Sequence, residues 1–241
     1  MIALVVKVNV SNNRILKEEP HMKHIVIDLE MSKKHKKGSK MNVLETIEIG
    51  AVMLDDDLQE VSSFKTYVKP EYSDGVAANI TKLTGITNEM VEHAPVFNEA
   101  LRMFTNWCID SGEAVTIYAW SDSDYAQIAK EMDIKEYRIS AKEERVFRAD
   151  AWADIQKEFD SDLGFARQVS LKMALDMAGV DFTGREHDAL DDARNTAELL
   201  RILRDEEQYN ATLRKIKEVM SPTKTSSKLG DLIDFSLFAC A

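Results

Sequence analysis

The sequence predicts an α/β fold: a mixed sheet, an antiparallel three-strand meander plus parallel strands, flanked by helices. Three observations predict it. The first strand-like runs follow one another on short links, which favours antiparallel pairing. From about residue 96, helical and strand-like segments alternate, which favours parallel crossovers with helices on both faces. The chain has 241 residues, 44% hydrophobic and 30% charged, enough to bury a sizeable core.

The elements follow in order. Residues 1–21 are weakly patterned and are read as an N-terminal extension; the domain is expected over 22–210, with a C-terminal tail over 211–241. His24 to Glu30 reads as a buried strand, and Leu44 to Leu54 and Val61 to Val68 as two more, the last two linked by the acidic turn Asp55-Asp56-Asp57. Phe97, Leu101, Phe104 and Cys108 recur at helical spacing, predicting a helix over 96–109. Val115 to Trp120 is a fourth strand, parallel because it arrives after a helix. A helix over 123–132 is expected next, then a short strand near Arg145 to Arg148, and a helix from Trp152 to Phe159. Ser170 caps a helix from Leu171 to Ala178, and Gly179 ends it. A last long helix is expected over about 188–208.

The formal net charge is −11, which argues against a broad basic face wrapped by nucleic acid and against an anionic membrane surface. The charge is uneven. Residues 1–40 hold nine Lys and Arg against four Asp and Glu, and five of those cations crowd into Lys33 to Lys40. Such a run is read either as a solvated loop or as local phosphate contacts. The two cysteines exclude a disulfide scaffold, and Cys108 and Cys240 suggest no zinc cluster. Two reduced thiols suit a cytoplasmic protein. No apolar run approaches the roughly 20 residues of a membrane helix. The apolar start breaks at Lys7 and has no basic segment ahead of it, so no secretory signal is expected.

Carboxylates carry the chemistry. Asp28 and Glu30 lie two apart on a strand and so face one side. Two such acids at the end of an apolar strand repel and lose hydration unless a cation neutralises them, and a divalent metal suits oxygen ligands. A second acidic segment, Trp120-Ser-Asp-Ser-Asp124, follows the fourth strand, where sites form in α/β sheets. Either Asp122 or Asp124 is a candidate there. The third segment begins with His187-Asp188 and places Asp192 one turn into a helix. Taken singly, these segments are equally a solvated strand end, a capped turn and acids at a helix N-terminus. Together, four acids from three segments and one histidine meet the needs of a two-metal hydrolytic site, with the histidine as base.

At these residues the chain resembles the DEDDh-type, or DnaQ-like, 3′–5′ exonucleases on a ribonuclease-H-like fold. The resemblance rests on Asp28-Leu-Glu30, Asp124, and His187 followed five residues later by Asp192. It is extended by Glu45-Thr-Ile-Glu-Ile-Gly50, Ile80-Thr-Lys-Leu-Thr-Gly-Ile-Thr87 and Ala189-Leu-Asp-Asp-Ala-Arg-Asn-Thr-Ala197. The phrasing is nearest the branch of sporulation-kinase-pathway inhibitors and small-RNA and histone-mRNA 3′ exonucleases. The resemblance implies hydrolysis of single-stranded RNA, ahead of DNA, from the 3′ end to nucleoside 5′-monophosphates with two divalent cations, Mg²⁺ or Mn²⁺. It implies that Asp28 bridges both ions, that Glu30 and Asp192 complete one shell, that Asp124 holds the second ion partly through water, and that His187 is the general base. The acid matching the family's second motif is Asp124, four residues after the Trp. Leu83, Thr84, Gly85 and Ile86 resemble the loop that contacts the terminal nucleotide. Lys33 and Lys34, leaving the metal site directly, are expected along the incoming strand. The alternatives are a regulatory protein-binding module on the same fold, or a DNA-directed proofreading-type exonuclease. The end of the chain, Phe235-Ser-Leu-Phe238, is similar to part of a bacterial sliding-clamp-binding peptide, so residues 229–241 are read as a possible contact with a clamp or other protein partner, or as a segment docking on its own domain or a partner subunit.

Overall fold

The computed structural model describes residues 22–35, 43–110, 112 and 114–220. The expected extension over 1–21, the later part of the basic run and the clamp-like residues 229–241 lie outside them. A five-stranded sheet is built from β1 (Met22–Ser32), β2 (Glu45–Leu54), β3 (Glu60–Tyr67), β4 (Ala114–Ala119) and β5 (Trp152–Asp154), in the order β3-β2-β1-β4-β5. β1, β2 and β3 form the antiparallel meander; β4 runs parallel to β1, and β5 parallel to β4. The predicted mixed sheet is therefore the observed one.

The period of two along β1 divides the core. Ile25, Ile27 and Leu29 face one side and join α3 (Phe97–Ile109) through Phe97, Leu101, Phe104 and Cys108. Val26 faces the other side, with Val52, Leu54 and Tyr118. That side is covered by α6 (Ile155–Leu163), α7 (Leu171–Ala178) and α8 (Ala189–Arg204), through Phe159, Leu175, Leu199 and Leu200. Asp28 and Glu30 share the parity of Val26, so the strand aims both carboxylates at the face under α8. The remaining helices are α1 (Ala78–Thr84), α2 (Asn88–Glu92), α4 (Ser123–Ile134), α5 (Glu144–Phe147), α9 (Glu206–Thr212) and α10 (Arg214–Met220). None of the described helices is long and apolar enough to cross a membrane.

The structure corrects four expectations. Residues Arg145 to Arg148 form no strand: Val146 and Phe147 enter the core from the single turn of α5. The fifth strand is Trp152–Asp154, where a helix was expected; it pairs with Ile117–Ala119, and only then does Asp154 cap α6 by accepting Lys157 N at 2.7 Å. The last long helix stops at Arg204, because Asp205 turns extended and caps α9 through Gln208 N at 3.0 Å. Packing also continues beyond the domain limit of 210: Leu213 is fully buried and Ile216 packs beside it, so residues up to Met220 belong to the folded body.

Candidate active site

The site forms where β1 outlasts its parallel neighbour. β4 ends with Ala119 opposite Ile27, so Asp28, Leu29 and Glu30 run past it. On that open edge Leu29 N donates to Asp124 Oδ1 at 3.1 Å, which sets the first turn of α4 against the strand. Asp124 is 4% exposed, whereas Asp122 is exposed ahead of the helix. Of the two candidates, only Asp124 faces the site.

On the other side β2 accepts α8. Gly50 pairs with Asp28 across the sheet. A Cβ on Gly50 would lie 2.2 Å from both Ala189 C and Leu190 N, so only glycine lets the helix backbone approach this closely. Glu48, opposite Glu30, accepts Ala189 N at Oε2 (3.0 Å). Lys65 Nζ bridges Glu48 Oε1 at 3.1 Å and Asp188 Oδ2 at 2.5 Å. Asp188 caps α8 by accepting Leu190 N and Asp191 N. Sequence reasoning missed Glu48, Lys65 and Asp188 as supports. An acid on an otherwise apolar strand was the available signal for Glu48.

The pinned helix brings Asp192 and His187 over β1. Candidate ligand atoms of Glu30, His187 and Asp192 all lie within 4.8 Å of one another. Asp192 Oδ2 accepts His187 N at 3.1 Å, and His187 takes a left-handed backbone (φ +63) with an exposed ring. Such a conformation is costly away from glycine, and here the carboxylate holds it. Glu30 and Asp192 are each 9% exposed and Asp28 is half-buried.

The electrostatics are those of crowded acids. Burial, then Asp124, Asp192, Glu30 and Glu48, pushes the Asp28 carboxyl well above the usual range. Burial, then Asp192 and Glu48, raises Glu30 to about 8. Burial also raises Asp124 and Asp192 to about 7, against the opposing hydrogen bonds from Leu29 N and His187 N. Among the described residues, neither Asp28 nor Glu30 has a Lys or Arg ion-pair partner. Four oxygen donors that resist ionisation together are a donor set that a hard divalent cation would satisfy.

The expected substrate residues lie on one rim. Thr84 and Ile86 are buried, and Gly85 ends α1 at φ +74, so the turn presents Leu83 and the Gly85 backbone. Arg185 reaches this turn from the loop before α8, with Nη2 at 3.5 Å from Leu83 O. Ser32 Oγ accepts Ala77 N at 3.0 Å, and Lys34 O accepts Asp74 N at 3.4 Å. Lys33 and Lys34 therefore leave the strand alongside the segment that leads into α1.

With this geometry the family comparison is decisive. The exonuclease family, RNase_T, matches residues 25–200, most of the chain. The chain belongs to this exonuclease family. The resemblance drawn from the three acidic motifs holds. The chain is 30% identical over 172 residues to rat (Rattus norvegicus) 3′-5′ exoribonuclease 1, covering 67% of this chain and 47% of the relative. It is 25% identical over 186 residues to "Probable 3′-5′ exonuclease KapD" of Bacillus subtilis (strain 168), covering 77% of this chain and 86% of that protein. The chain spans about half the length of the mammalian exoribonuclease 1 relatives it matches. Its fold is shared with the nuclease domain of 3′hExo, a DEDDh family member solved bound to rAMP, at TM-score 0.65 and 25% identity, over 76% of this chain and 92% of that one.

Proposed function

We propose that this exonuclease is a metal-dependent 3′–5′ enzyme that hydrolyses single-stranded nucleic acid, RNA ahead of DNA, from the 3′ end to nucleoside 5′-monophosphates. The observation that carries the reading is the convergence of Glu30, His187 and Asp192 within 4.8 Å, in a chain of this family. Preference for RNA is supported by the exoribonuclease relative and by the rAMP in the related nuclease domain.

Asp28, Glu30, Asp124 and Asp192 would hold two divalent cations, Mg²⁺ or Mn²⁺, with Asp28 as a ligand shared by both. When bound, such ions would lower the pKa of the attacking water and stabilise the leaving 3′ oxygen. The protein's own steps are positioning and proton transfer. His187 takes the proton from the attacking water, its exposed ring placed at the rim by the Asp192 hydrogen bond to its backbone. Leu83 and the Gly85 backbone meet the terminal nucleotide, and Lys33 and Lys34 follow the strand behind it. The acidic floor suits ions and the rim suits phosphates, which reconciles a net charge of −11 with a nucleic-acid substrate. The reading keeps the cytoplasm as compartment, on cysteine usage, and a contact with a clamp or other protein partner through residues 229–241, which a pull-down with and without that segment tests.

The decisive experiment incubates the protein with 5′-labelled single-stranded RNA and DNA in parallel, with Mg²⁺ or Mn²⁺. A ladder shortening from the 3′ end, abolished by chelator and by Asp28→Ala, is expected, faster on RNA. Intact substrate under every metal condition would sink the reading.

A further inference from the structure

The acidic floor has a cationic neighbour that the catalytic reading does not use. Arg185 lies two residues ahead of His187, in the turn that leads into α8. Its main chain is fixed, because Arg185 N donates to Asp191 Oδ2 at 2.9 Å. Gly184 before it sits at φ +86, with the same Asp191 carboxylate 2.4 Å from where a Cβ would stand. The turn is thus locked to α8, the helix that supplies Asp192.

From this fixed base the side chain crosses to the facing rim. A Cβ on Gly85 would stand 2.0 Å from Arg185 Nη1 and 2.5 Å from Nη2. The guanidinium therefore lies directly on the Leu83–Gly85 turn, in space that only a residue without a side chain leaves open. Its hydrogen bond to Leu83 O, at 3.5 Å, is at the outer limit for such a bond. Among the described residues the side chain is exposed and has no carboxylate within ion-pair distance. A guanidinium carries five donors in a planar fork that fits phosphate oxygens in pairs. Here that fork is held between the histidine turn and the Leu83 turn, with donors to spare for a ligand.

Building on the exonuclease reading, we propose that Arg185 is a substrate-binding residue whose guanidinium grips a backbone phosphate at the 3′ end of the strand as it enters between these two turns. A phosphate would replace the long bond to Leu83 O with two short charge-assisted bonds. It would also fix the strand relative to both walls at once. Lysine supplies the charge but not the fork, so the two substitutions Arg185→Lys and Arg185→Ala separate attraction from geometry.

The test is fluorescence polarisation with a labelled ten-nucleotide RNA whose 3′-terminal linkage resists hydrolysis, in Ca²⁺, across a KCl series. Turnover of an ordinary strand in Mg²⁺ and the melting temperature are measured beside it. Arg185→Ala is expected to weaken binding about tenfold and to flatten the slope of log affinity against log salt by about 0.7, one phosphate on a single strand. Arg185→Lys should keep the wild-type slope while recovering only part of the affinity. The KM of Arg185→Ala on an ordinary strand should rise about as much as its affinity falls, since the fork acts in binding. Wild-type affinity and slope in Arg185→Ala would overturn the proposal. So would a fall in saturated turnover at unchanged affinity, the mark of a residue that only props the His187 turn. A wild-type protein that binds the strand but never cuts it overturns the exonuclease reading and leaves Arg185 judged by binding alone. A wild-type protein that binds no strand overturns both.

Discussion

Asp124 takes the Leu29 N–H at 3.1 Å on the edge of β1 that β4 has vacated, so a helix carboxylate stands where a further strand residue would have paired. One side chain thereby fixes α4 to the strand and delivers a charge beside Asp28 and Glu30. The two duties separate in Asp124→Asn. The amide retains an oxygen for the Leu29 N–H and loses the charge. Burial holds the Asp124 carboxyl at about 7, so removing its charge also relieves like-charge crowding. Without metal, the variant should melt at or above the wild-type temperature. In Mg²⁺ its turnover should fall by a factor on the order of 100 or more, because a charged ligand that acts on the reacting phosphate has gone. Melts in chelator and single-turnover assays in Mg²⁺ check this, and near-wild-type turnover would count against a metal role for Asp124.

Gly50 is the complementary position on the other side of β1. Its missing side chain lets Ala189 and Leu190 sit on the sheet. Gly50→Ala forces α8 outward, and overpacking of this kind costs about 1–3 kcal/mol. For a domain of this size that is a melting drop of roughly 3–10 °C. Activity should suffer more than stability, because Asp192 and His187 move with the helix while Asp28 and Glu30 stay on the strand. A melting temperature within about a degree of wild type, with full turnover, would show that α8 is not held by this close approach.

The central fold was legible because its signals are long. β1, β2 and β3 carry strand-like runs of eight residues or more with short links, α3 carries a full apolar stripe, and α7 has clear caps in Ser170 and Gly179. The Trp152–Asp154 strand was not legible, since three residues cannot show a period of two and the helix that follows shares its apolar pattern. α5 failed for the same reason, being a single turn. Asp28, Glu30, Asp124, His187 and Asp192 were legible because acids on apolar strand ends and at a helix start are locally costly and so conspicuous. Their supports were not. Glu48, Lys65 and Asp188 form a chain of ion pairs and caps between residues far apart in sequence; Lys65 and Asp188 alone read as ordinary surface charge, and only their pairing shows what the acid on the apolar strand β2 supports. Arg185 meets Gly85 only in three dimensions.

The basic run offers a separable test of strand binding. Lys33 and Lys34 leave β1 beside the segment that leads into α1, and Lys36 and Lys37 continue the run. Replacing all four with Ala should raise KM on single-stranded RNA and flatten its salt dependence by about 0.7 for each phosphate no longer neutralised. The turnover number should hold, since the run's part is to attract the strand rather than to act on the reacting phosphate. Unchanged salt dependence would leave the run a solvated loop.

The crowded acids make stability depend on pH and metal in a linked way. Folded values of about 8 for Glu30 and about 7 for Asp124 and Asp192, with Asp28 also well raised, stand above the ordinary carboxylate range of the unfolded chain. Between about pH 4 and pH 8 the folded cluster thus binds more protons than the unfolded one, and its contribution to stability is lost as pH rises through that window. In chelator, the melting temperature should fall from about pH 5.5 to about pH 8.5, and replacing Glu30 with Gln should flatten that fall. Divalent ions bind the ionised carboxylates, so their effect runs the other way. Saturating Mn²⁺ at about 100 times its dissociation constant adds about 2.7 kcal/mol, roughly 5–10 °C here, at the alkaline end. At about pH 5.5 protons compete for the same oxygens, and the shift should shrink to a degree or two, on the order of a few tenths of a kcal/mol. Differential scanning fluorimetry across pH with and without Mn²⁺ measures both slopes. A metal-induced shift of equal size at both ends of the range would show that the ion binds elsewhere than on these four carboxylates.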